Sequence, residues 1–208
     1  MRETELKQAV AVVLGGGVLI YPTETLYALG CDARNLAAVS RVLRLKGRPA
    51  NKPLPVVVGD MDGLARIAAD GLSDELQALG KAFWPGPLSV LVRTGSLLAP
   101  AVRDAQGFTS VRITPHPLAR ALCLAANAPI VATSANMSGA PATADPAELD
   151  PVLTVQADCV LEGDPLPAGG QASTVVALLG GRRLGLVRAG AVPAADLEAL
   201  GFQIEPLA

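Results

Sequence analysis

The chain has 208 residues, half of them hydrophobic but only 3% aromatic, and a formal net charge of −2 at pH 7. This length favours one domain, and the charge argues against binding nucleic acid through the whole surface, although it does not exclude a local basic cleft. No apolar run approaches the ~20 residues that span a bilayer, and the polar start lacks a signal-peptide layout. We therefore expect one cytoplasmic domain over residues 1–208, without membrane contact.

Predicted helices and strands alternate along the chain. The spacing of apolar residues predicts a first helix over 3–14, and the apolar run 18–20 is typical of a buried strand that Pro22 terminates. Further helices are predicted over 36–46, 60–69, 73–83 and 117–126. Further strands are predicted over 54–58, 88–92, 109–113, 129–132, 157–161, 173–179 and 184–188, the last two as a hairpin. The alternation predicts an α/β sheet with mixed strand directions.

Two polar loops each follow a predicted strand. The loop 23–27 contains two threonines and a glutamate, and the loop 133–139 contains Ser134 and Asn136. Ligands usually bind where the strands of an open α/β sheet end. Serine and asparagine also cap helices and form turns, which is their commoner role. As a functional pair, a hydroxyl and an amide offer neutral donors and acceptors for ribose or phosphate oxygens.

Three cations, Lys46, Arg48 and Lys52, lie within seven residues at the end of a predicted helix. Basic residues favour helix C-termini and are usually solvated there, which is the ordinary explanation. Two prolines stiffen this segment, however, and a site for a tetra-anion such as ATP needs several fixed charges. Arg112 and Arg188 are charges in apolar strands, where they point to solvent, to a partner or into a cleft.

Other common site types have no support in the motifs. No glycine-rich phosphate loop of the two familiar patterns occurs, so a nucleotide must be held by other groups. His116 lies between prolines, where a turn role is commoner than a general base. The sequence shows no carboxylate cluster and no metal-type cysteine spacing, so we assign no metal ligand.

Six short motifs occur in the order found in YrdC-like proteins, namely 22–27, 46–49, 84–88, 111–117, 134–139 and 173–176. The chain resembles this family over roughly residues 16–190. The resemblance implies a single YrdC-like domain, with a twisted open mixed α/β sheet, flanking helices and a large concave basic cleft. It also implies that the chain forms threonylcarbamoyl-AMP and pyrophosphate from L-threonine, bicarbonate and ATP, with Mg²⁺ accompanying ATP. A transferase complex would then place the threonylcarbamoyl group on transfer RNA, which this chain itself would contact weakly.

The resemblance also implies roles for residues at matched positions. The ATP-binding residues would be Arg48, Lys52, Ser134, Asn136, Thr143 and Arg188. Lys46 and Arg48 belong to the Lys-x-Arg signature of the family and would be catalytic, with Lys46 facing the phosphates. Thr25, Arg112 and Ser173 would bind L-threonine, with Arg112 pairing its carboxylate.

Four departures from the family pattern bear on amino-acid selectivity rather than on the use of ATP. Ala28, Ala177 and Ala189 stand where many members have glycine, aspartate and proline, and Val57 occupies a strand position that is polar in some relatives. The spacing before Thr143 is one residue short, which bears on its ATP contact. Two alternatives therefore stay open. One is an RNA-binding module that uses the same cleft, and the other is a YrdC-like relative that acts on another carbamate or acyl substrate.

Overall fold

The structure is a computed structural model that describes residues 3–49 and 52–206. The helices in these ranges are α1 (Glu3–Leu14), α2 (Leu36–Lys46), α3 (Met61–Ile67), α4 (Asp74–Phe83), α5 (Pro117–Ala126), α6 (Pro151–Gln156) and α7 (Ala194–Ala199). The strands are β1 (Leu19–Pro22), β2 (Tyr27–Gly30), β3 (Val56–Val58), β4 (Leu88–Arg93), β5 (Phe108–Ile113), β6 (Ile130–Val131), β7 (Thr133–Ser134), β8 (Cys159–Val160), β9 (Thr174–Gly180), β10 (Arg183–Arg188) and β11 (Gln203–Pro206).

The strands form two mixed sheets. The smaller sheet has the order β7-β2-β1-β8, and the larger has the order β11-β10-β9-β4-β5-β3-β6. Strand β1 pairs antiparallel with β2 and parallel with β8, while β4 pairs antiparallel with β5 and parallel with β9. The predicted mixed α/β fold with flanking helices is confirmed. The strands are divided between two sheets, and the chain passes from the larger to the smaller sheet at Ala132, between β6 and β7.

The first polar loop connects two strands of a hairpin, and β2 was not predicted. The backbone N–H of Thr23 donates to the carbonyl of Leu26 at 3.1 Å, and the Thr23 hydroxyl donates to the same oxygen at 2.7 Å. This turn brings Tyr27 opposite Pro22 in the ladder. All four residues of β2 are buried, so the strand has no alternation of polar and apolar residues by which a sequence pattern identifies it.

Helix ends follow the capping residues that the sequence offers. The side chain of Asn35 accepts from the N–H of Ala38 at 3.0 Å, and Gly47 ends α2 with a left-handed φ of 57°. Ser73 caps α4 in the same way, by accepting from the N–H of Leu76. These local contacts confirm the predicted helices 36–46 and 73–83, and place the end of α2 beside the cleft described below.

The core consists mainly of valine, leucine, isoleucine and alanine, in agreement with the low aromatic content. Tyr21 and Tyr27 are fully buried aromatic exceptions. A second, smaller apolar cluster lies where α1 and α5 pack together over β1. In the ranges that the structure describes, no helix combines the length and the apolar character needed to cross a membrane.

Candidate active site

A cleft of about 510 Å³ opens between the β1–β2 hairpin, the loop after β7, and strands β4, β5, β9 and β10 of the larger sheet. Its volume lies in the range of ordinary ligand pockets. Six of the predicted site residues line it, namely Thr25, Arg48, Arg112, Ser134, Ser173 and Arg188. The fold thus brings together residues that lie far apart in the sequence, which the order of the motifs alone does not require.

Arg112 lies in this cleft with an ion pair at its side. Its Nε donates to Oε1 of Glu24 at 2.7 Å, and the two side chains are only 6% and 11% exposed. The hydroxyl of Thr114 donates to the other carboxylate oxygen of Glu24 at 2.8 Å. The terminal nitrogens of Arg112 have no hydrogen-bond partner within residues 3–49 and 52–206, and they are not fully buried. They are therefore the part of the guanidinium that is open to the cleft.

Arg188 and Ser173 connect the two predicted subsites. The Nη2 of Arg188 donates to the carbonyl of Ser173 at 2.7 Å and to its hydroxyl at 3.2 Å. That hydroxyl also pairs with the buried hydroxyl of Ser89 at 3.0 Å. Partial removal from water lowers the pKa of the Arg188 guanidinium, and the positive charge of Arg112 lowers it further. A residue expected to bind ATP therefore directly contacts one expected to bind L-threonine.

Lys46 is buried beside the cleft and does not line it in this structure. Its ammonium donates to the backbone carbonyls of Ser134 at 2.5 Å and Asn136 at 2.6 Å, and its own carbonyl accepts from the N–H of Ser138. Burial lowers the pKa of Lys46 to about 8, with a smaller contribution from the charge of Arg48. Lys46 therefore fixes the loop that carries two predicted ATP-site residues, and its contact with phosphates stays a prediction.

Arg48 is half-buried at the cleft wall. Its Nε donates to the carbonyl of Lys52 at 3.2 Å and its Nη2 to the carbonyl of Pro53 at 3.0 Å. Burial lowers the pKa of the Arg48 guanidinium. The side chain of Lys52 is exposed, so only its backbone takes part in this contact.

The two other predicted ATP-site residues lie next to lining residues. Asn136 accepts through Oδ1 from the hydroxyl of Ser134 at 2.5 Å, so the amide and the hydroxyl form one unit. Thr143 donates from its hydroxyl to Oε2 of Glu148 at 2.8 Å, while the preceding Ala142 lines the cleft. An ATP contact by either side chain remains a prediction.

Strand β5 contributes one whole face to the cleft, and two of the residues on that face were not predicted as site residues. Phe108, Ser110 and Arg112 all line the cleft. The intervening residues Thr109 and Val111 are buried. This period of two is the pattern of a strand with one face toward the core. Once Arg112 was predicted to face a cleft, the same period could have identified Phe108 and Ser110. The cleft is also lined by Asp104, Leu91 and Val187, which no local pattern in the sequence identifies.

Carboxylates are few at the site. In the described part of the chain, no group of three or more histidine, cysteine, aspartate or glutamate side chains could hold a metal ion. Glu24 is engaged by Arg112 and Thr114. Asp104 lines the cleft, and its Oδ1 accepts from the N–H groups of Gln106 and Phe108. Three arginines line the cleft, but the basic character of the cleft as a whole remains a prediction.

Comparison with known sequences gives one family and several close relatives. A family model named for Sua5, YciO and YrdC, and described as telomere recombination, matches residues 11–190. The chain is 41% identical over 167 residues to the threonylcarbamoyl-AMP synthase of Stenotrophomonas maltophilia (strain K279a), which covers 79% of this chain and 89% of that protein. It is 42% identical over 163 residues to the protein of the same name from Xanthomonas campestris pv. campestris (strain B100), with coverages of 77% and 86%.

Solved structures share the fold. P. abyssi Sua5 complexed with L-threonine superposes with a TM-score of 0.89 at 29% identity, over 99% of this chain and 60% of that one. This chain thus spans less than two thirds of the length of that Sua5. E. coli YciO superposes with a TM-score of 0.80 at 26% identity, over 92% of both chains.

Proposed function

The chain belongs to the Sua5–YciO–YrdC family, and on that premise we propose that it forms threonylcarbamoyl-AMP and pyrophosphate from L-threonine, bicarbonate and ATP. The observation that carries the proposal is the convergence of Arg48, Arg112 and Arg188 on one cleft. Both reactants that would meet there are anions, and arginine forks suit carboxylate and phosphate oxygens.

The proposed reaction needs cations more than it needs a base. A carbamate forms from the amine of threonine and bicarbonate with little help. In the harder step a carbamate oxygen attacks the α-phosphorus, a new oxygen–phosphorus bond forms, and the bond to pyrophosphate breaks. Because both partners are negative, groups that neutralise them and hold them in line contribute most of the acceleration.

The proposed roles follow the family resemblance, and six of the residues concerned line the cleft. Arg112 pairs with the carboxylate of threonine, and Thr25 and Ser173 contact the rest of that substrate. Around ATP we place Lys46, Arg48, Lys52, Ser134, Asn136, Thr143 and Arg188. The ammonium of Lys46 uses two of its three donors on the carbonyls of Ser134 and Asn136, so a contact with phosphate would use the third.

We propose that Mg²⁺ enters with ATP and neutralises phosphate charge. Glu24 is occupied by Arg112 and Thr114, and one oxygen of Asp104 by backbone N–H groups. These residues therefore leave phosphate oxygens and water as the main ligands of the ion.

We also propose a cytoplasmic role upstream of transfer RNA modification, in which the product passes to a transferase complex. Direct contact with transfer RNA is expected to be weak, since the net charge is −2 and only 3% of residues are aromatic. Proteins that bind single-stranded RNA usually stack bases on aromatic rings.

The test is to incubate purified protein with ATP, bicarbonate and each of several amino acids, and to measure pyrophosphate. Release should require both bicarbonate and L-threonine. Serine should be a poorer substrate, because it lacks the methyl group of threonine. The discrimination should be moderate, since packing of that methyl is worth only ~1–3 kcal/mol. Equal release without any amino acid would mean plain ATP hydrolysis and would contradict the proposal.

The same assay separates an enzyme from an RNA-binding module. Pyrophosphate release without RNA, together with weak transfer RNA binding that ATP displaces and salt abolishes, supports the enzyme. Tight, salt-resistant binding of transfer RNA without any RNA-free turnover would support the binding module instead.

A further inference from the structure

We propose that Glu24 is a positioning residue for the threonine subsite. It holds the guanidinium of Arg112 from the side, so that the terminal nitrogens stay free to donate to the carboxylate of the amino acid. This inference rests on the proposed function, because it assumes that Arg112 binds that carboxylate.

The geometry assigns different edges of the guanidinium to the two carboxylates. Glu24 accepts from Nε of Arg112 at 2.7 Å. Both Nη atoms of Arg112 lack a partner in the described residues, and Arg112 lines the cleft. A guanidinium presents a second pair of parallel donors between its Nη atoms, which matches a carboxylate in two hydrogen bonds. Glu24 therefore occupies the Nε edge of the guanidinium and leaves the Nη edge to the carboxylate of the substrate.

Glu24 contacts the Nε edge of Arg112 and does not line the 510 Å³ cleft. It lines an adjoining cavity of about 400 Å³, together with Pro87, Pro115 and Gly169, and Thr25 lines both. Substrate in the main cleft would therefore meet the open Nη edge of Arg112, while Glu24 is engaged at the Nε edge.

Two further contacts hold Glu24 in place, and a third holds the adjacent Thr25. The hydroxyl of Thr114 donates to the second carboxylate oxygen of Glu24 at 2.8 Å. The N–H of Ala168 donates to its backbone carbonyl at 3.2 Å, and the N–H of Gly169 donates to the carbonyl of Thr25 at 2.9 Å. A positioning residue must be fixed by its own surroundings, and these contacts meet that condition.

Glu24 also offsets the repulsion between two arginines. Arg188 lies close enough to Arg112 for its pKa to fall because of that charge. With Glu24 beside Arg112, the guanidinium can stay in one orientation before any substrate arrives. Without Glu24, Arg112 would be free to turn its Nη edge away from the cleft, which weakens carboxylate binding more than the ATP contacts.

The experiment compares the binding of L-threonine and L-threoninol, in which a CH₂OH group replaces the carboxylate. Calorimetry on the wild type, Glu24→Gln and Glu24→Ala gives the preference of each protein for the carboxylate. We expect the wild type to prefer L-threonine, and the preference to fall about tenfold in Glu24→Ala, since misplacing a binding group has effects of this size. The fall should be smaller in Glu24→Gln, because the amide oxygen can still accept from Nε of Arg112. Glu198→Gln is the matched control, because it makes the same chemical change on the exposed surface of α7.

A second set of measurements separates positioning from folding. In the pyrophosphate assay, the KM for L-threonine should rise in the Glu24 variants while the KM for ATP stays unchanged. Thr114→Val, which keeps the ion pair but loosens Glu24, should show a rise of about threefold, the size expected for losing one hydrogen bond. This conservative variant keeps the test valid if Glu24→Ala fails to fold.

The possible outcomes are distinct. Folded Glu24 variants that keep the wild-type preference for L-threonine over L-threoninol would overturn this inference and leave the proposed function intact. A wild type that binds no L-threonine would overturn the proposed function, and this inference with it. Equal rises in the KM values for L-threonine and ATP would show a general structural role and would also overturn the inference.

Discussion

The site contains two buried cations that the fold treats differently. Arg112 is 5% exposed and has the carboxylate of Glu24 as its partner, whereas Lys46 is 2% exposed and donates to backbone carbonyls. A carbonyl dipole stabilises an ammonium less than a full negative charge does, and burial therefore lowers the pKa of Lys46 to about 8. The comparison shows that the charge of Arg112 is compensated within the protein, while Lys46 relies on neutral groups.

The largest effect should come from Arg112→Met, which leaves the carboxylate of Glu24 buried without its cation. We expect the free energy of unfolding to fall by about 3 kcal/mol, the lower end of the range for breaking a buried pair, because Glu24 keeps some contact with water. Chemical denaturation measures this change. The double variant Glu24→Gln/Arg112→Met should recover most of the loss, and an equal loss in both would show that uncompensated charge is not the cause.

A smaller effect is expected for Lys46→Met. The carbonyls of Ser134 and Asn136 lose their donor, but no charge is left behind, so the loss should be about 2 kcal/mol. The control is Lys81→Met, which removes an exposed ammonium from α4. A loss greater than that of Arg112→Met in the same denaturation series would reverse the comparison between the two cations.

The same variant gives a prediction for pH. The pKa of Lys46 falls from an ordinary 10.5 to about 8 on folding, so between these values the unfolded chain binds more protons than the folded one. The unfolding free energy contributed by Lys46 therefore increases as pH rises through this window. Unfolding measured at several pH values should show the wild type gaining stability relative to Lys46→Met from about pH 8 upward. A difference that stays constant would mean that Lys46 keeps its ordinary pKa.

The smallest effect is expected for Ser134→Ala, within the neutral surroundings of Lys46. The hydroxyl of Ser134 donates to Oδ1 of Asn136, which lies 3.4 Å from the ammonium of Lys46. Once released, that oxygen can accept from Lys46 instead, so the net loss should be about 0.5 kcal/mol. A loss as large as that of Lys46→Met would indicate that the hydroxyl, rather than the ammonium, organises the loop.

Local features of this fold were predictable from the sequence. The ends of α2 follow from Asn35 and Gly47, because capping involves residues only a few positions apart. The polar loops after β1 and β6 were recognised as site candidates from the same kind of local reasoning. Strand β2 was not predicted, because all of its residues, Tyr27–Gly30, are buried and show no alternation of polar and apolar side chains.

The contacts within the site were less predictable. Glu24 and Arg112 lie 88 residues apart, and no local pattern pairs them. The acceptors of Lys46 are backbone carbonyls, and since every residue has one, side-chain identity says nothing about them. The family resemblance supplied a list of site residues, whereas the partner of each cation required the folded structure.

The pairing of β1 with β8 has a consequence for how the protein is made. Leu19 pairs with Cys159, so the first strand stays without its parallel neighbour until most of the chain has left the ribosome. The cleft also forms only after most of the chain has been made, because Thr25 lines it together with Ser173 and Arg188. Contacts of this sequence separation form slowly and leave strand edges exposed during synthesis. A ribosome that stalls before the β9–β10 hairpin emerges would hold a nascent chain with Arg112 but without the rest of the proposed threonine site.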